Sequence, residues 1–216
     1  MKKIITSFLI LYSFAYATPE QIIVVRHCDK YNTQPPWSQL SLSPKGYIRA
    51  IALAKYYLKN FGQPDYMISS NAENPIYQDN HIENKYALSI KEIQTSGPLL
   101  SMLNKKGIDV AEIFYHPYKD EETTQISNFV LYNKKFNSKK ILIIWDHFQI
   151  PTLIHKLGVS DSTKVTEPAE VFDNVYILQY DKDGNLSNYQ EKKNQYPVPN
   201  IESWDEIYNK VITTDN

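Results

Sequence analysis

The chain has 216 residues, 42% of them hydrophobic, a formal net charge of -1 and a single cysteine. That length suits one well-buried α/β domain, the balanced charge excludes a nucleic-acid or membrane-surface binder that works by basic excess, and one thiol excludes an intramolecular disulfide. Only two arginines occur, Arg26 and Arg49, so the places where a planar, bidentate phosphate donor can act are few.

Residues 1–17 read as an export signal. Lys2 and Lys3 supply the positive start, Ile4 to Tyr16 is apolar but short for a membrane span, and Ala15-Tyr16-Ala17 gives a small-x-small cleavage pattern before Thr18. The expectation is a single mature domain, 18–216, that works in the periplasm or the medium without stable membrane insertion.

Strand-like and helix-like segments then alternate, the pattern of a mainly parallel sheet covered by helices. Gln21 to Arg26 is a β-branched run expected as a buried central strand. Ser43-Pro44 opens a helix, with serine as N-cap and proline in the first turn. Asp65 to Ser70 reads as a strand, and 71–87 as a long polar loop. Ser89 to Asn104 reads as a helix, Val110 to Tyr115 as a short strand and Glu121 to Tyr132 as a helix. Lys140 to Trp145 is the second strong apolar strand, followed by a helix from Phe148 to Leu157. Asn174 to Gln179 and Leu186 to Glu191 flank Asp181-Lys182-Asp183-Gly184, a hairpin turn signal. A short amphipathic segment around Trp204 closes the chain.

Arg26-His27 ends the first strong strand and Asp146-His147 ends the second. In open α/β sheets the ligand crevice lies at the C-terminal ends of strands, so the two histidines are expected to converge. A neutral imidazole is a competent nucleophile toward phosphorus. The phosphoryl group carries spread negative charge and needs fixed positive donors, which the Arg26 fork and a protonated His147 would supply. Neighbouring strand residues point to opposite faces, so Arg26 and His27 share a site only if the strand ends there and the chain turns.

Several segments, in order, resemble the histidine phosphatase (phosphoglycerate-mutase-like) superfamily. Val24 to Lys30 resembles its RHG signature in the RHGEK form. Leu42 to Ala50 resembles LTxxGxxRA, and Ile68-Ser69-Ser70 the SSP strand end. Ile90 to Thr95 resembles RxxQT with Lys91 at the arginine. Ile144 to His147 resembles the WEH form of the second-histidine motif, and Phe172 to Tyr176 the late strand. The resemblance implies a three-layer α/β/α sandwich and a phosphomonoesterase acting through a phosphohistidine on His27. Arg26, Lys91 and His147 would hold the phosphoryl oxygens of a small phosphorylated substrate, with no metal or organic cofactor. It leaves the general acid open among Asp146, Asp29 and Glu121.

Two departures from the pattern support a second reading, a weak or inactive member that binds phosphate or a phosphorylated ligand. Cys28 replaces the glycine after the nucleophile, where a side chain is expected to crowd the phosphate or alter the turn. Lys91 trades a fork for a point charge. A thiol-phosphatase reading of Cys28 is set aside because no arginine closes a phosphate loop after it. Arg49 is expected to make a surface or interdomain hydrogen bond. Asp79, His81, His116 and His155 are read as loop or structural residues.

Overall fold

A computed structural model describes residues 18–31, 41–70, 89–115, 120–160, 165, 170–201 and 203–207. The leader-like residues 1–17 and the polar stretch 71–87, with Asp79 and His81, lie outside the described residues, as does His116.

The core is a six-stranded sheet. β1 (Gln21–Arg26), β2 (Tyr66–Ser70), β3 (Ala111–Tyr115), β4 (Lys140–Trp145), β5 (Val175–Tyr180) and β6 (Leu186–Lys192) lie in the order β3-β2-β4-β1-β5-β6. The β1/β4, β2/β4 and β2/β3 pairs are parallel; β5 runs antiparallel to β1, and β6 pairs back on β5 as the expected hairpin.

β1 is buried on both faces, and its alternation assigns each side chain to a layer. Ile22 and Val24 pack with Ile141, Ile143 and Trp145 of β4 against α3 (Asp120–Tyr132) and α4 (Ile150–Lys156). Ile23 and Val25 pack with Leu142 and Ile144 against α1 (Pro44–Phe61) and α2 (Lys91–Asn104). Each fully buried aliphatic side chain contributes ~1.5–3 kcal/mol relative to exposure. The result is the expected three-layer α/β/α sandwich.

Element types agree with the sequence reading throughout; boundaries move by one or two residues. α1 begins as foreseen: the Ser43 hydroxyl accepts from Gly46 N, and Pro44 sits at the first helical position. Among the described residues of the tail, Trp204–Ile207 forms a short helix, α5. Among the described residues no helix is long and apolar enough to cross a membrane.

Candidate active site

The β1/β4 register pairs Arg26 with Trp145, so the next residues, His27 and Asp146, leave the sheet side by side at one edge. His27 N donates to Trp145 O at 3.2 Å, a last ladder bond, before the chain turns. Irregular backbone at 27–29 satisfies the condition the sequence imposed. Arg26 and His27 both reach Phe172: the guanidinium carbon lies 4.0 Å from the ring centroid, and the imidazole centroid lies 6.0 Å from it. Arg26 also donates to Val171 O at 2.9 Å.

The His27 ring is fully buried, and its two nitrogens have different surroundings. Nδ1 lies 2.8 Å from Cys28 O. A carbonyl only accepts, so Nδ1 carries the proton and Nε2 keeps its lone pair. Nε2 has no hydrogen-bond partner among the described residues. Burial first, then the charges of Lys91 and Arg26, push the pKa of His27 well below its ordinary value against the opposing pull of Asp146. The ring is therefore neutral at neutral pH.

His147 stands across from it, with ring centroids 6.4 Å apart and planes 84° from parallel, and is 8% exposed. Asp146 lies between the two imidazoles. Its Oδ2 is 3.8 Å from His27 Nε2 and its Oδ1 is 3.5 Å from His147 Nδ1, ion-pair distances longer than a formed hydrogen bond. Phe148 N donates to Oδ1 at 3.0 Å. Burial raises the Asp146 carboxyl, but the His147 ring, His27 and the Phe148 N–H outweigh it and leave it well below the usual carboxylate range. Asp146 thus stands at the site as a carboxylate, with no proton of its own to give at neutral pH.

Lys91 is 7% exposed at the first position of α2. A cation opposes the helix dipole there, so its place is set by what it faces, and its charge reaches His27. The rest of that turn holds the loop that carries His27. Cys28 N donates to Thr95 Oγ1 at 3.0 Å, and Thr95 Oγ1 donates to Lys91 O at 2.8 Å. Leu42 N donates to Gln94 Oε1 at 2.7 Å.

Asp29 is corrected as a general-acid candidate. Arg49 Nε donates to its Oδ2 at 2.5 Å and Arg49 Nη2 to its Oδ1 at 3.3 Å, so both carboxylate oxygens are taken. Arg49 is corrected with it. Far from making a surface contact, it is 7% exposed and also donates through Nη1 to Asp173 Oδ2 at 3.2 Å and Tyr196 O at 3.3 Å. Asp173, 124 residues beyond Arg49, adjoins the Phe172 that Arg26 and His27 touch. The Asp29 carbonyl accepts from Ser43 N at 2.9 Å and Ser43 Oγ at 3.2 Å. A Cβ on Gly46 would fall 1.9 Å from that oxygen, so glycine is required for the close approach.

Cys28 does not crowd the imidazole. Its side chain packs with Leu42 and Ala50, fully buried. Burial, with the charge of Asp29, pushes the thiol pKa up to about 12, an inert group. The side chain of Glu121 lies outside the described residues. His155 is exposed on α4, its Nδ1 3.1 Å from Val159 O.

Sequence reasoning gave no role to Gln94, Thr95, Phe172 or Lys30. All four lay within quoted motifs, which was the available signal. Lys30 lies three residues beyond His27, bridged to Leu42. Burial, then the charges of Lys91 and Arg26, lower its pKa, so it shares their cationic cluster.

No protein-family model and no curated protein sequence matches the chain. Solved structures do match its fold. The protein histidine phosphatase SixA complexed with tungstate superposes with a TM-score of 0.53 at 11% identity, over 80% of this chain and 96% of that one. A mycobacterial glucosyl-3-phosphoglycerate phosphatase gives 0.50 at 12% identity, over 83% and 100%. A phosphoglycerate mutase from Plasmodium falciparum gives 0.50 at 12% identity, over 85% and 95%. The chain has the fold of the histidine phosphatase superfamily.

Proposed function

We propose that this chain hydrolyses phosphomonoesters, with His27 Nε2 as the nucleophile. The observation that carries the reading is the 2.8 Å contact from His27 Nδ1 to Cys28 O, which leaves a buried, unprotonated Nε2 facing His147 beside Arg26 and Lys91. The Nε2 lone pair attacks phosphorus. An N–P bond forms, the bond from phosphorus to the ester oxygen breaks, and that oxygen leaves with a proton. Arg26, Lys91 and Lys30 offset the charge on the equatorial oxygens. We assign the proton to the His147–Asp146 pair, in which the carboxylate lies 3.5 Å from Nδ1. Water then attacks phosphorus, releasing inorganic phosphate and regenerating the imidazole. The tungstate complex of the structural neighbour supports a tetrahedral oxyanion as the kind of ligand such a fold accepts.

One observation favours a second reading, a phosphate-binding protein with little turnover. The ionised Asp146 lies 3.8 Å from Nε2 and repels an incoming anion. Purified protein with p-nitrophenyl phosphate separates the two. Nitrophenol release that His27→Ala removes supports the enzyme. Phosphate binding without release supports the binder.

A further inference from the structure

We propose that His27, Asp146 and His147 also bind one divalent transition-metal ion of the zinc class, and that such an ion blocks the nucleophilic nitrogen. The donor atoms of the three residues lie within 4.8 Å of one another, on side chains that are 1%, 7% and 8% exposed. His27 Nε2 and His147 Nδ1 are both buried with no hydrogen-bond partner among the described residues. Each faces one oxygen of the same carboxylate, at 3.8 and 3.5 Å. Two imidazoles and a carboxylate match zinc, whose open sites take three protein ligands and a water. Bonds of about 2.0–2.2 Å at tetrahedral angles set ligand atoms roughly 3.3 Å apart, so the contacts to Asp146, at 3.8 and 3.5 Å, close by a few tenths of an ångström, and the two imidazole nitrogens, within 4.8 Å of each other, draw together on binding.

The charge balance decides what the pocket prefers. Asp146 attracts a cation to the spot where it repels an anion; Arg26 and Lys91 act the other way on the ring of His27, and Lys30 shares their cluster. Among the described residues the two imidazoles and the carboxylate are the metal-ligating group that lies together, so the metal takes Nε2 itself. Zinc and a phosphoryl group are then mutually exclusive on His27. Nothing in this requires the phosphatase reading.

Calorimetric titration of the full chain with zinc chloride, without substrate, tests the inference. The expected result is saturation at one equivalent, with His147→Gln and Asp146→Asn each weakening binding at least tenfold and the exposed His155→Ala leaving it unchanged. Cobalt(II) gives a readout on the unaltered protein, should a variant fold poorly: an intense tetrahedral d–d spectrum, complete at one equivalent and displaced by zinc. A weak octahedral spectrum, no saturation at one equivalent, or binding lost only in His155→Ala overturns the site. Zinc binding by a chain that never releases nitrophenol keeps this inference and sinks the phosphatase reading; nitrophenol release untouched by zinc, from a chain that does not bind it, does the reverse.

Discussion

At the scale of single residues, the assignment of chemistry follows from which atoms are occupied. In His27 a backbone carbonyl takes one nitrogen and leaves the other bare. In Asp29 the Arg49 fork takes both oxygens, so the carboxylate two residues after His27 is held in a structural pair. Asp146 keeps one oxygen toward each imidazole. If the His147–Asp146 pair protonates the departing oxygen, its loss matters in proportion to how badly the leaving group needs a proton. General acid catalysis contributes roughly 10²–10⁴-fold. Asp146→Asn is therefore expected to slow alkyl phosphate hydrolysis by about a hundredfold or more, near 2.7 kcal/mol. p-Nitrophenyl phosphate, whose phenolate leaves unprotonated, slows by about tenfold or less. Steady-state kcat on both substrates measures this, and equal losses on the two assign Asp146 a different task.

At the scale of elements, the loop after β1 is fixed from three directions. The first turn of α1 holds the Asp29 carbonyl through Ser43 and leaves room for it at Gly46. The first turn of α2 holds Cys28 N through Thr95. Arg49 ties Asp29 to Asp173, just ahead of β5. Breaking a buried pair from one side leaves uncompensated charge and costs about 3–5 kcal/mol. Arg49→Met, which preserves much of the apolar stem, is thus expected to lower unfolding free energy by about 3 kcal/mol. Urea denaturation measures it, and a change within about 0.5 kcal/mol, usual for surface positions, would place the arginine outside this clamp. The same contacts explain what the sequence could and could not convey. The strand ends bearing Arg26-His27 and Asp146-His147 were legible because apolar runs stopping at charged residues are a local pattern. The partners of Arg49 lie 20, 124 and 147 residues away, and no periodicity encodes such distant pairings. Lys30 stood at the end of the first motif but drew no role, because its cluster with Lys91 and Arg26 forms only after β1 and α2 are packed together.

At the scale of the whole molecule, the three-layer sandwich acts as a positioning device. The parallel β1/β4 pair aligns two chain segments separated by more than a hundred residues, so that their ends deliver imidazoles to one edge. Helices α1 and α2 on one face supply the loop clamp and Lys91, while the segment before β5 supplies the Phe172 against which Arg26 and His27 rest. Architecture of this kind was readable because α/β alternation and the order of the motifs are global patterns that survive local boundary errors. Whether the site is used for covalent catalysis is tested most directly by quenching turnover in alkali, which preserves phosphoramidates, and mapping the phosphoryl group by mass spectrometry. The account predicts a phosphoryl group on the His27 peptide at Nε2, and none in His27→Ala. Turnover with no phosphorylated protein at any time, or with the phosphoryl group on another residue, would contradict it.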